Sequence, residues 1–201
     1  MKTAKVNGVE ISEESVRFEL DRLMVFYKSH GMTADEIRGA LDVLREKALE
    51  QAIGAKLLVD RANELDIPVS AADIDGEMKK LSAQIGGPEA LEKAMSEKGL
   101  SVDALRAHLE RAVRVNKLVE QSCTGVAEPE DGEVEAFYEA HRAQYAGAAL
   151  SDVHGQIKDL MRHEARGKAV EAFVGELRAR AKIEYADDCG HGHDCCCHHH
   201  A

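Results

Sequence analysis

Between Thr33 and Asp66 the apolar residues recur in steps of three and four: Ile37, Leu41, Leu44, Ala48, Ala52, Ala55, Val59 and Ala62. That spacing puts them on one face of an α-helix. Leu49, Ile53 and Leu57 add a second stripe in the later half, so that half is expected to be covered on more than one side. Thr33 and Glu36 make a T-x-x-E capping box at the start, and Ile67-Pro68 marks the end, because the residue before proline is pushed out of helical geometry. The pattern predicts a single helix over 33–66, roughly 50 Å long at about 1.5 Å per residue. A helix of that length outruns a compact domain, so it predicts an elongated molecule with a groove, or other segments covering its ends.

The same reading places the other elements. Lys5 to Ile11 alternates like a short strand, with Asn7-Gly8 as a turn or bulge. Ser12 caps a helix with Val16, Leu20, Leu23, Met24 and Tyr27 inward, closed by Gly31. Ser70 caps a third helix with Ile74, Met78, Leu81 and Ile85 as its stripe; Gly86-Gly87-Pro88 breaks it. Glu89–Lys98 buries Leu91 and Met95, and Ser101 caps a helix to about Gln121. Helices follow over 134–145 and, capped by Ser151, over 151–181. Lys182–Tyr185 alternates as a second strand. Two lone strands need each other, so the N- and C-terminal strands are expected to pair. All three prolines, Pro68, Pro88 and Pro129, fall between the predicted helices.

Composition sharpens this picture. Of 201 residues, 44% are hydrophobic and only 4% aromatic, with 31% charged, which suits a mainly α protein. The formal charge of −11 argues against nucleic acid and anionic membranes as partners, and suits a soluble protein that meets basic, unfolded polypeptides. No stretch is long and apolar enough to span a membrane. The start, MKTAKVNGVEIS, lacks the apolar core of a secretory leader, so a cytoplasmic location is expected, or a periplasmic one if a leader was removed.

The chemistry is concentrated at the C-terminus. Cys123 stands alone in the body, whereas Cys189, His191, His193, Cys195, Cys196, Cys197, His198, His199 and His200 put nine thiols and imidazoles within twelve residues. Thiolates and imidazoles ligate Ni, Zn and Cu. Nine ligands exceed the four of a tetrahedral site and show no C-x-x-C pairs, so residues 186–201 are expected to be a flexible, disordered multi-site tail rather than one structural centre. His154 and His163 are nine apart on one helix, unsuited to a shared metal; His108 and His141 read as ordinary packed or surface groups, and Cys123 as a small buried apolar residue. Met24, Met32, Met78, Met95 and Met161 lie mostly on helix stripes and read as core, with an adaptable client-binding surface as the alternative. No P-loop, G-x-S-x-G, G-x-G-x-x-G or H-E-x-x-H motif occurs.

The order of a V-N-G-V-E-I-S strand, a capped helix, a helix ending LLVDRANELDIPVSAADID, a GG-P break, GLSVDALRAHLERAVRVNKLVEQ and PEDGEVEAFYEAHRAQY resembles the chaperone domain of SurA-like and related parvulin-type prolyl isomerases. Trigger factor's chaperone body is similar in architecture. The resemblance covers about residues 5–185. It implies a multi-helix chaperone cradle over 1–185, in which 151–185 returns to close 5–145, and it implies binding of unfolded or nascent polypeptide without ATP. In the family a parvulin domain usually follows the FYEAHRAQY helix. Here only Ala146 to Leu150 separate that helix from SDVHGQIKDLMRHEARGKAVEAFVGELRARAKIEY, so no isomerase residue carries over and no isomerase activity is expected. The tail resembles the His/Cys-rich tails of SlyD-type isomerases. A metal storage or delivery role toward a metalloenzyme client is the alternative function, and a homodimer is one way to cover a groove.

Overall fold

The computed structural model describes residues 2–145 and 147–187; residues 188–201, and with them every tail ligand from Cys189 to His200, lie outside the described part. Eight α-helices and three short strands make up the described residues, so the expected mainly α fold is present. The chain divides into two compact units, residues 1–57 with 177–201, and Leu58–Glu176.

The first unit is built on a hairpin. β1 (Lys2–Val6) and β2 (Val9–Glu10) are joined by Asn7-Gly8. Both turn residues have positive φ, 51° and 81°, which matches the primed turn whose twist suits a two-residue hairpin loop. The C-terminal strand β3 (Ile183–Asp187) pairs antiparallel with the other edge of β1, from Val6↔Ile183 to Lys2↔Asp187. The expected pairing of the two chain ends is therefore present, in a three-stranded sheet rather than a pair: the Asn7-Gly8 turn folds the first predicted strand back on itself. Asn7 also fastens the junction, its Oδ1 accepting from the Lys182 backbone N–H at 2.9 Å and its own N–H donating to the Lys182 carbonyl at 2.8 Å.

Ser12 caps α1 (Glu13–Ser29), its Oγ accepting from the Ser15 N–H. Thr33 and Glu36 form the expected capping box, but the predicted 33–66 helix is two helices. α2 (Ala34–Gly39) ends at Ala40, whose φ of −95° and ψ of 5° leave helical geometry, and α3 (Leu41–Glu64) begins at once. The break follows Gly39; Gly54, an equally weak helix former, lies inside α3 without interrupting it, so glycine alone does not set the break. Beyond it, Leu49, Ala52, Ile53 and Leu57 of α3 bury against Ala4, Val6 and Ile11 of the hairpin region, with Leu177 and Ile183 packed alongside. The more heavily covered later half is thus observed: Ala48, Ala52 and Ala62 of the first stripe are buried as well as Leu49, Ile53 and Leu57 of the second, although Ala55 is exposed.

In the second unit α3 ends with Asp66 in the left-handed region (φ 45°), the Ile67 N–H reaching the Ala62 carbonyl and the Asp66 N–H reaching Asn63. This double bond satisfies the last carbonyls of the helix and carries Ile67 into a core with Ala62 and Leu118. α4 (Ala71–Gln84), α5 (Pro88–Glu97) and α6 (Val102–Ser122) follow close to their predicted limits. α7, Asp131–His141, begins three residues before its predicted start, with Glu130 as its cap, and its predicted last stretch tightens into a 3-10 turn, Arg142–Tyr145. α8 (Leu150–Arg180) begins ahead of its predicted cap, because the Ala149 carbonyl takes the Asp152 N–H while Ser151 Oγ turns to the Asp152 carboxylate. Val134, Tyr138, Val153 and Ile157 close a second core, where Tyr138 Oη donates to the Ala148 carbonyl at 2.6 Å. Among the described residues no helix is long and apolar enough to cross a membrane.

Two outcomes are expected. Ile53 is fully buried. Ile53→Ala should lower unfolding free energy by about 2–5 kcal/mol through lost burial and the cavity left behind, read as a lower urea midpoint. Lys117 Nζ lies 2.7 Å from Asp73 Oδ2 and, with the Ser70 backbone and hydroxyl, holds that carboxyl well below the usual carboxylate range. A depressed folded pKa means stabilisation that is complete above the ordinary value of about 3.9 and is lost as pH falls below it. Asp73→Asn should therefore flatten the loss of stability between about pH 5 and about pH 2 relative to the parent, measured by urea unfolding across that window.

Candidate functional site

The tail ligands predicted from sequence lie outside the described residues. Within the described residues no group of three or more His, Cys, Asp or Glu is placed to share a metal ion. His141 stacks on Phe137 with ring centroids 4.2 Å apart and its Nδ1 2.8 Å from the Phe137 carbonyl; His154 Nε2 is 3.5 Å from Asp131 Oδ1. His108 and His163 are exposed. Cys123 is buried, with Sγ 3.8 Å from the Arg166 carbonyl, as expected of a small apolar residue. None of these groups forms a reactive constellation. What the described residues do leave open is apolar grooves.

One groove belongs to the second unit. Met78 and Ala83 of α4, Pro88, Leu91 and Met95 of α5, and Val102 of α6 line it, with Lys79, Ser82, Glu92 and Arg106 as polar edge. Its volume is about 640 Å³, room for several side chains of an extended segment but not for a folded domain. Local chemistry shapes it. Ser70 and Asp73 form a reciprocal capping box that starts α4, and Arg106 Nη1 bonds Asp75 Oδ1 at 2.8 Å to hold α6 against α4. The turn between α4 and α5 needs Gly87: its φ of 111° and ψ of 178° lie in a region open essentially to glycine alone. Pro88, whose φ suits a first helical residue, then starts α5. Met78 and Met95, read as core from their stripes, are half-buried on this open surface. Unbranched thioethers there can repack around differing side chains.

A second groove belongs to the first unit. Leu23, Phe26 and Tyr27 of α1 face Val43, Glu46, Lys47, Glu50 and Gln51 of α3 across about 690 Å³. Phe26 and Tyr27 meet edge to face, and Lys47 Nζ donates to Tyr27 Oη at 3.1 Å. Phe26 is 52% exposed, Val43 58%, and Phe18 and Val25 of α1 are more open still. The only buried residue of α1 is Glu19, whose carboxylate pairs with Arg22 at 2.9 Å. α1 thus leaves much of its apolar surface open. The sequence reading missed it. Its signal was available in Phe18, Val25 and Phe26, the apolar residues of α1 left off the inward stripe.

Charge separates the two units. Leu58–Glu176 carries 14 Lys and Arg against 23 Asp and Glu, whereas residues 1–57 with 177–187 carry 12 of each. The acidity of the protein is thus almost entirely that of the second unit, which is where a basic segment would be drawn.

Comparisons with known proteins agree with this architecture. The family model described as SurA-like N-terminal domain matches residues 1–119. A solved structure from work on two SurA-like chaperones of Campylobacter jejuni, the virulence factor PEB4 and the periplasmic protein Cj1289, matches with a TM-score of 0.59 at 14% identity, covering 92% of this chain and 98% of that one. Two NifM proteins, whose names propose a peptidyl-prolyl cis-trans isomerase, are also similar. The one from Azotobacter vinelandii is 22% identical over 156 residues, 74% of this chain and 51% of the relative. The one from Azotobacter chroococcum mcd 1 is 25% identical over 152 residues, 68% and 52% respectively. The chain spans about half the length of the curated relatives it matches.

Gly87→Ala should cost about 1–3 kcal/mol, because a Cβ is strained at that backbone conformation even though nothing lies within 4 Å of it. Thermal unfolding checks this, and an unchanged midpoint would show that the α4–α5 turn does not hold the groove as described.

Proposed function

Because this chain belongs to the SurA-like N-terminal domain family, we propose that it is an ATP-independent chaperone that holds unfolded or nascent polypeptide. The observation that carries the reading is the pair of open apolar grooves, one lined by methionines and the other by aromatic residues, each of a size for extended side-chain segments. Burial of apolar surface at about 25 cal/mol per Å² is the driving force available to such sites, and it asks no particular sequence of the client. The acidic second unit adds attraction for basic segments. Holding without isomerisation is the proposed mode of action.

At equimolar amounts the chain should suppress light scattering by a guanidinium-denatured model enzyme as it is diluted. Phe26→Glu and Met95→Glu should each weaken that suppression severalfold, since each sets a charge in an apolar groove. Unchanged aggregation in the presence of the parent chain would overturn the reading. A protease-coupled proline isomerisation assay that shows turnover by the chain would replace it with an enzymatic one.

A second activity is proposed on a separate observation, the nine Cys and His residues between Cys189 and His200. We propose that they bind Ni, Zn or Cu, with thiolates and neutral imidazoles as ligands, so that affinity falls as pH falls and protons compete. A chain ending at Asp187 should lose this metal while keeping its chaperone activity. Equal metal stoichiometry in both chains would refute tail binding.

A further inference from the structure

β3 is an edge strand, and the ladder shows which of its backbone groups are left over. The sheet runs β2, β1, β3, so one side of β3 faces β1 and the other has no neighbouring strand among the described residues. In an antiparallel ladder, pairs that exchange hydrogen bonds alternate with pairs that do not. The Asn7 N–H donates to the Lys182 carbonyl, and on the far side of β1 the Ile11 N–H donates to the Ala4 carbonyl. Asn7, Lys5 and Thr3 therefore turn their backbone groups to β3, while Val6 and Ala4 turn theirs to β2. With Lys5 opposite Glu184 and Thr3 opposite Ala186, those two residues of β3 direct their N–H and C=O groups at β1. The groups of Ile183, Tyr185 and Asp187 point away from β1, in a row of alternating donors and acceptors that repeats about every 6.7 Å.

Among the described residues no backbone group bonds this row on its open side. Glu184, Tyr185 and Ala186 are exposed. The devices that blunt an edge strand are missing or neutralised. β3 holds no proline, its register with β1 runs without a bulge from Val6↔Ile183 to Lys2↔Asp187, and the Glu184 carboxylate is paired with Lys182 at 2.8 Å. The strand is also held in place. Tyr185 Oη donates to Glu50 Oε1 at 3.0 Å, and Arg178 pairs with the same carboxylate. All of these residues lie in the first unit. The opposite edge, β2, is only two residues long and offers no comparable row.

We infer that the free edge of β3 docks a client by its main chain: an extended, proline-free segment of unfolded polypeptide adds beside β3 as a fourth strand. Only an extended chain presents donors and acceptors at the spacing of this row, whereas a helix has already bonded its own. The edge therefore selects a conformation rather than a sequence. Proline is excluded wherever its missing N–H falls opposite a carbonyl of Ile183 or Tyr185. Side chains of the added strand come beside Ile183 and the Tyr185 ring, which is 54% exposed, and this favours β-branched residues at alternate positions. The inference rests on the chaperone reading and adds to it how a client is held, by its backbone at β3 as well as by its side chains in the grooves.

The test uses the full chain and a fluorescein-labelled peptide of about ten residues, alternating threonine and valine. A twin peptide carries N-methyl groups on its central amides, which keeps the side chains and removes the donors. Binding is measured by fluorescence anisotropy, and the parent should hold the peptide about tenfold more tightly than the twin. Tyr185→Pro removes an outward N–H and leaves the bonds to β1 in place, so it should weaken peptide binding about tenfold. Tyr185→Val restores that N–H without the phenol and should bind within about threefold of the parent. Equal binding of peptide and twin, which needs no variant to fold, would overturn this inference, as would equal binding by the parent and a folded Tyr185→Pro chain. Continued suppression of aggregation by the parent would in either case spare the chaperone reading. A parent chain that sediments as a dimer and becomes monomeric with Tyr185→Pro would assign the edge to a second copy and overturn the inference as well. A parent that neither binds the peptide nor suppresses aggregation would overturn both readings.

Discussion

An apolar helical face in water has to be covered, and in the first unit the face that demands it is that of α3. Leu49, Ala52, Ile53 and Leu57 are all buried, and what buries them is drawn from both ends of the chain: Ala4, Val6 and Ile11 from the start, Leu177 and Ile183 from the end. Full burial of one such aliphatic side chain is worth about 1.5–3 kcal/mol. The hairpin and its third strand are too short to persist without that cover. The sheet, the return of the chain end and the position of Tyr185 beside Glu50 all follow from the need to close over this one surface.

What packing leaves uncovered is as informative. α1 turns its half-buried stripe inward and leaves Phe18, Val25 and Phe26 open, and α4 to α6 leave Met78 and Met95 half-buried beside a turn that only glycine makes without strain. Both surfaces offer adaptable or flat apolar contact with few directional polar groups, which suits clients defined by being unfolded rather than by a motif. Their charge settings differ, the aromatic groove lying in a unit with balanced charge and the methionine groove in the acidic one, so the two need not favour the same segments.

Helix starts were legible because their chemistry is local. Thr33 with Glu36 and Ser70 with Asp73 close reciprocal boxes within four residues, and Pro88 begins its helix, so no distant contact is needed to place them. The family resemblance, read from the order of such elements, also held. The break at Ala40 was not legible, since the apolar period continues through it and Gly39 is no weaker a helix former than Gly54, which lies inside α3. Periodicity found both covered stripes but not the exception: Leu44, Ala48 and Ala52 on the first and Ile53 on the second are buried, yet Ala55 on the first is exposed. The open grooves were missed for the same reason, since a stripe identifies residues that could be buried and not those that find a partner. The cysteines and histidines of the tail were conspicuous in composition, which names a candidate chemistry and not a geometry.

The pairing of β1 with β3 joins the first described strand to the last, and Leu58–Glu176 is made between them. Leu58–Glu176 is contiguous in sequence, and its cores can close while synthesis continues. The first unit has to wait: until Ile183–Asp187 has left the exit tunnel, β1 lacks one neighbour and α3 lacks part of its cover. During that interval the apolar face of α3 is exposed to whatever else is nearby, so this protein spends part of its own birth in the condition of the polypeptides it is proposed to hold.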